Sequence, residues 1–206
     1  MRKVDPVKHE QKRRGILQAA LSCFVRSGFH GASTTDICAA AKISPGHLYH
    51  YFPSKEAMIQ ALVEMNLGHA AARLQAVLAA PNVIDALVQE LENTSLHQPQ
   101  AQVLSTEALA EACRNPDFAA IVHAQTRAMR TLLVEFLVQA QQRGEVDARL
   151  DPEATASILL AIVDGARALP IRNPAVDVQA SSAHLRIMLR RFLAPPAATG
   201  HTAAPT

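Results

Sequence analysis
Three cysteines in 206 residues, Cys23, Cys38 and Cys113, are an odd number, too widely spaced for a disulfide framework or a zinc-ligand pattern. The chain has no glycine-rich phosphate loop, no internal repeat and no alternating stretch that reads as a strand. No uninterrupted apolar run approaches the length of a membrane span. The N-terminus is basic and lacks the apolar core of a signal peptide, so the cytoplasm is the expected compartment. No motif sets a nucleophile beside a base, which leaves a helical enzyme as the weakest functional reading. Lysine is missing from most of the chain: every one lies at or before Lys55.

That absence is one side of a charge asymmetry. Residues 1–55 carry nine Lys or Arg against three acids, a net +6. The remainder carries eleven against fifteen, a net −4, which agrees with +2 overall. A basic head on an acidic body is the electrostatic footprint of a protein that holds polyanion at one end. A solvated charge run would explain Lys12, Arg13 and Arg14 taken alone, but not beside the stretch that follows them.

Ser33 to Lys55, STTDICAAAKISPGHLYHYFPSK, reads as two short helices joined by a tight turn, with a further helix opening directly afterwards. Ile37, Ala40 and Ala41 give the first an apolar face, and Ser33 caps it. Lys42 and Ile43 make the turn, Ile43 pointing inward. Ser44 and Pro45 restart a helix as N-cap and first-turn proline. That helix buries Leu48 and Phe52 and turns Gly46, His47 and His50 outward. A short polar-faced helix presented on a small helical scaffold is a helix-turn-helix reading head.

On these residues the chain from about Lys12 to Ala61 resembles the N-terminal DNA-binding domain of the TetR family of bacterial transcriptional repressors. The matching features are ILQAALSCF, GFHGAS, TTDICAAA, ISPGHLYHYF and PSKEAMI, most specifically Leu48-Tyr49-His50-Tyr51-Phe52 followed by Lys55. Lys42 stands where the family usually has Gly, and Ser33 where Thr is commoner. The resemblance implies an all-α homodimer with an N-terminal three-helix head, about nine helices in all, and a body that binds a small molecule.

The remaining helices are expected at about 8–27, 54–78, 82–94, 101–113 and 116–143, then after Asp151-Pro152 and after Asn173-Pro174. Gly28, Pro81 and Gly144 act as stops. The 116–143 helix carries the stripe Phe118, Val122, Gln125, Met129, Leu132, Phe136 and Ala140, the pattern of a central core helix. A DNA-binding domain at 1–53, a sensing and dimerisation domain at 54–194 and a disordered Ala- and Pro-rich tail at 195–206 follow. The long helix from Ser54 would connect head and body mechanically.

Contacts with double-stranded DNA divide into two classes. Phosphate positioning falls to Lys55, the start of the helix after Ser54, Ser33, Thr35, Ser44, Tyr49 and Tyr51. Base reading falls to Pro45, Gly46, His47 and His50, with Thr35 and Lys42 assisting, and His47 is the leading candidate for a base edge. Candidate effector-lining residues are Met65, His69, Arg73, His97, Glu107, Phe118, His123 and Met129. Each has a plainer role available: packing for Met65 and Met129, a solvated charge for Arg73. His69, His97 and His123 lie on separate helices with no two at ligand spacing, so no metal is expected, and no cofactor is implied. Ile158, Ile162 and Ala166 with Leu185, Met188, Leu189 and Phe192 are either protomer core or, as the resemblance implies, half of a four-helix dimer interface. The functional expectation is a repressor released from a palindromic operator by a small molecule. The alternative is a helix-turn-helix DNA binder with no inducer.

Overall fold
The computed structural model describes residues 5–96 and 99–196, and the side chains among them outside 94–105. Candidate residue His97 and most of the proposed tail, 197–206, lie outside the described residues. Among the described residues there are nine helices and no strand: α1 (Pro6–Gly31), α2 (Thr34–Ala41), α3 (Pro45–Tyr51), α4 (Lys55–Leu78), α5 (Val83–Leu96), α6 (Pro99–Ala112), α7 (Pro116–Gln142), α8 (Pro152–Arg172) and α9 (Val178–Leu193).

The starts are set by short polar caps that satisfy otherwise unpaired amides. Asp5 accepts from the Val7 and Lys8 amides at the head of α1. Asn82, Asn115 and Asp151 do the same for α5, α7 and α8. Gly28 takes a left-handed φ of 70° and breaks α1 before its last turn. One start differs from expectation. Asn173 closes the end of α8 and makes a turn with Ala175 and Val176, and α9 begins at Val178 under an Asp177 cap. A proline after asparagine therefore marks the loop here and not the helix.

The described residues pack as two compact units, one drawn from 1–72 and 98–129 and the other from 73–97 and 130–206. In the first, Ile16, Leu17, Ala20, Phe24, Ile37, Leu48, Phe52 and Met58 form a core on which α2 and α3 are set. Phe29 joins Phe24 to Phe118 by ring contacts of 5.3 and 4.9 Å. In the second, Leu87, Phe136, Leu137, Leu159, Leu189 and Leu193 are completely or almost completely buried. The α7 stripe thus serves two cores, Phe118 in one and Phe136 and Ala140 in the other.

The second unit also contains a buried polar cluster: Glu92 accepts from Ser182 at 2.7 Å and from both faces of the Arg186 fork at 3.2 and 2.9 Å. A buried carboxylate held this way fixes α5 against α9, because losing one partner leaves the charge uncompensated. Among the described residues one helix, α8, meets the length and composition of a membrane span. It is long and apolar enough to cross a membrane, with 28% of the window buried. Asp164 interrupts the run, so a search for unbroken apolar stretches passes over it.

Candidate nucleic-acid interface
The reading head is built by reciprocal capping. Ser33 Oγ accepts from the Asp36 amide at 3.1 Å, and Asp36 accepts from the Ser33 amide at 3.1 Å. The Ser33 hydroxyl donates to the same carboxylate at 2.6 Å. These bonds from Ser33 hold the Asp36 carboxyl below its ordinary range. They also consume the single hydroxyl hydrogen, so in this arrangement Ser33 is a cap whose oxygen can only accept. α2 ends at Lys42, whose φ of 55° and ψ of 50° are left-handed, the conformation glycine adopts with less strain. Ile43 donates its amide back to the Cys38 carbonyl at 3.0 Å, and Ser44 Oγ accepts from His47 N at 3.3 Å to open α3. Ala40, expected on the packed face, is exposed, and Cys38 is buried in its place.

Leu48 (fully buried) and Phe52 anchor α3, so its opposite face is turned out. Thr35, Lys42, Ser44, Pro45, Gly46, His47, Tyr49 and His50 are all exposed, and Tyr51 is partly covered. Tyr49, at 53% exposure, is a large ring left in solvent on a basic domain. A Cβ placed on Gly46 would meet nothing within 4 Å, so no internal contact demands glycine there. Tyr51 sits among imidazoles: His9 stacks on it at 4.6 Å, while His47 and His50 approach at 5.4 Å each. One turn along α1, the Arg13 guanidinium lies 5.4 Å over the Phe52 ring. The sequence reading missed His9 and singled out Arg13 only as part of a charge cluster. The available signal was their i, i+4 spacing, which extends the Ile16–Leu17–Ala20 stripe toward the N-terminus.

Lys55 is committed inside the head. Its ammonium donates to the carbonyls of Phe29 and Ala32, the latter at 3.4 Å, where it closes the exposed end of α1. Ser54 caps α4 through the Ala57 amide at 3.1 Å. The first turn of α4 is therefore ordered with a cation beside it, the arrangement that attracts an anion.

The candidate effector residues have different local surroundings. Met65 and Met129 are partly buried, His69 and His123 are exposed, and Phe118 is a core residue against Phe29. Glu107 belongs with the end of α1: a Cβ on Gly28 would fall 2.8 Å from its Oε2. It lines a shallow pocket of about 230 Å³ with Gly28, His30, Glu111 and Arg114, below the ordinary size of a small-molecule site. There His30 Nε2 donates to the buried Glu111 at 2.6 Å, which holds the Glu111 carboxyl low. Arg73 lies in the other compact unit and pairs with Glu90 at 2.5 Å. Among the described residues no group of three His, Cys, Asp or Glu is placed to hold a metal ion.

On α8 and α9 the structure separates two populations. Leu189 and Ala166 are buried within the protomer, and Ile162, Leu185 and Phe192 are partly buried. Ile158, Leu169, Ile171, Ile187 and Met188 stand 40–49% exposed. Large apolar side chains are thus left in solvent on both helices.

Residues 16–62 match the family described as "Bacterial regulatory proteins, tetR family", and residues 82–194 match "BetI-type transcriptional repressor, C-terminal". The chain is 33% identical over 153 residues to the HTH-type transcriptional regulator UidR of Escherichia coli (strain K12), covering 74% of this chain and 78% of that one. It is 43% identical over 56 residues to RutR of the same strain, 27% of this chain and 26% of that one. Among solved structures, Salmonella enterica GusR superposes with a TM-score of 0.74 at 33% identity, over 89% of this chain and 95% of that one. E. coli NemR in its reduced form shares the fold, with a TM-score of 0.72 at 21% identity over 90% and 99%. A capped helix-turn-helix on a basic head, continued by a helical body with an uncovered apolar face, has its place in this group: the chain belongs to the TetR family of helix-turn-helix transcriptional regulators.

Proposed function
We propose that the protein is a homodimeric repressor that reads a palindromic operator with α3 and leaves it when a small molecule occupies the body. The observation that carries this reading is the outward face of α3. Pro45, Gly46, His47 and His50 project from a helix whose other side is locked by Leu48 and Phe52. His47 reads a base edge, Pro45 and Gly46 admit close approach and thymine methyls, and Thr35, Lys42 and His50 assist. Ser44, Tyr49, Tyr51 and Lys55, with the start of α4, hold the phosphates, and Ser33 contributes as an acceptor-bearing cap. One head of this size covers too few base pairs for selectivity. Two heads related by a dyad would bind half-sites about one helical turn apart. Ile158 and Met188, with Ile162, Leu185 and Phe192 beside them, supply the dimer contact, and Ala166 and Leu189 support it from within the protomer.

The domain division proposed from sequence, 1–53 for the head and 54–194 for sensing and dimerisation, assigns these roles. The cytoplasm, where the operator is, is the working compartment. Release by an effector requires that it bind one arrangement of the dimer more tightly than the other. Met65, His69, Arg73, His97, Glu107, Phe118, His123 and Met129 remain the lining candidates, of which Arg73 has the strongest chemical case. A DNA binder without an inducer is the second reading, favoured by the small volume of the pocket that Glu107 lines.

The deciding experiment is selection from a random duplex pool at near-physiological salt. Recovery of one palindrome is expected. Binding with no recovered motif that vanishes as salt rises would reduce the reading to polyanion attraction.

A further inference from the structure
Arg167, on the inner side of α8, is held in an unfinished environment. Its Nε is fully buried and has no hydrogen-bond partner among the described residues. Its ion-pair contact is between Nη1 and Asp164 Oδ1, at 3.7 Å, beyond hydrogen-bond length, and Asp164 is 61% exposed. Val163 and Ala166, its neighbours on α8, are buried. Burial pushes the Arg167 guanidinium below its ordinary range; Asp164 opposes that shift, and the positive charge of Arg73 adds to it. Partial burial raises the Asp164 carboxyl despite its exposed surface, with Arg167 opposing. Arg73, from the end of α4, is matched by Glu90 at 2.5 Å. All four residues belong to one compact unit.

An unpaired buried donor on a charged group is destabilising, and an apolar side chain of similar volume would serve the packing better. The unpartnered Nε–H can take an acceptor that comes from outside. Guanidinium presents Nε–H and one Nη–H as a planar fork that matches the two oxygens of a carboxylate. Asp164 and Glu90 already balance the two arginines in charge, which favours a monoanion over a phosphate dianion.

We propose that Arg167 anchors the carboxylate of a small organic acid, received side-on by Nε and an adjacent Nη, with Arg73 adding attraction, and that this acid is the effector. The inference rests on the effector-released reading of the protein and specifies the chemical class of the ligand.

The test uses the full chain and three matched pairs at millimolar concentration: acetate and acetamide, hexanoate and hexanamide, benzoate and benzamide. At least one acid is expected to raise the Tm about 3 °C above its amide, by mass action on the folded state. Arg167→Met and Arg167→Lys, both folded, are expected to lose that difference, since neither carries the fork. Without ligand, Arg167→Met is expected to melt at or above the wild-type temperature. Equal response to acid and amide in all three pairs overturns the proposal, as does a folded Arg167→Met that melts below the wild type. Titration of the selected operator duplex separates the two readings. Wild-type protein that binds the operator but ignores every acid loses this inference and keeps the regulator reading. Acids that bind through Arg167 without weakening the operator complex overturn the effector role.

Discussion

The imidazole of His9 lies 4.6 Å from the phenol ring of Tyr51 with the two planes 28° apart, so the start of α1 braces the last turn of α3. Stacked rings contribute about 0.5–1.5 kcal/mol beyond the area they bury. His9→Ala should therefore free the Tyr51 ring and weaken operator binding by up to about tenfold. The same lost contact should lower the Tm by about 2–4 °C. His9→Phe should restore the affinity. Duplex titration alongside thermal melting checks this, and an unchanged affinity in His9→Ala would remove the brace from the account of the head.

Lys55 is expected to act twice. Its ammonium closes α1 at Phe29 and Ala32, and it stands beside the N-terminus of α4. Lys55→Ala should lower the Tm, because two carbonyls lose a charged donor. It should also flatten the dependence of log K on log salt by about one unit. Titrations at several salt concentrations separate the two effects. A lowered Tm with an unchanged slope would make Lys55 a cap and nothing more.

A Cβ on Gly46 would meet nothing within 4 Å, so a side chain there has open space and is an address to the DNA. Gly46→Gln should leave the melting curve in place, to within about 0.5 kcal/mol of stability. It should abolish recovery of the wild-type palindrome, because the backbone can no longer approach the base edges. His47→Ala should be milder and relax preference at a single position in each half-site. Repeating the duplex selection with both variants reads out the difference.

What the sequence revealed and what it hid have separate physical causes. The head was legible because its signals are local. Caps at Ser33 and Ser44, the Lys42 turn and the buried Leu48 and Phe52 all depend on residues a few positions apart. The Lys42 φ of 55° could be foreseen from a single position that must turn. Contacts made by tertiary packing were not legible. Nothing local tells that Lys55 folds back 26 residues to Phe29, or that Glu111 meets His30 across 81. Phe118 lay on a periodic stripe equally compatible with a core and a cavity wall, and nothing local tells that its ring meets Phe29. On α9 the apolar period placed Leu189 and Met188 together, yet one is fully buried and the other 49% exposed. Adjacent positions on a helix differ by about 100° in direction, and only the neighbouring helices settle which one they cover.

That split on α9 gives a paired prediction. Ile158 and Met188 stand exposed, so Ile158→Asp with Met188→Asp should leave the protomer folded and shift it to monomer. Operator affinity should fall with it, since a lone head lacks the second half-site. Leu189 has no exposed surface. Leu189→Ala should instead destabilise the fold by about 2–5 kcal/mol through the cavity it leaves. Sedimentation at several protein concentrations, with melting curves for each variant, distinguishes lost association from lost packing. A double Asp variant that remains dimeric would move the interface off this face.

The His30–Glu111 bond predicts a pH dependence. The bond from His30 holds the carboxyl of Glu111 below its ordinary value of 4.5 in the folded chain, with further help from Asn115 and Arg114. A carboxyl depressed on folding contributes stability that is fully present above its unfolded value and is lost as pH falls through the folded one. His30→Ala removes the largest of these contributions while Glu111 stays buried at 6% side-chain exposure. The variant should then melt below the wild type near neutral pH. The gap should close as the pH drops below about 4.5, where the wild type also loses its bond to an ionised carboxylate. Melting temperatures measured across the acid range provide the check. A gap that persists undiminished into acid would mean that His30 supports α6 through packing, and that the carboxylate bond adds nothing to the fold.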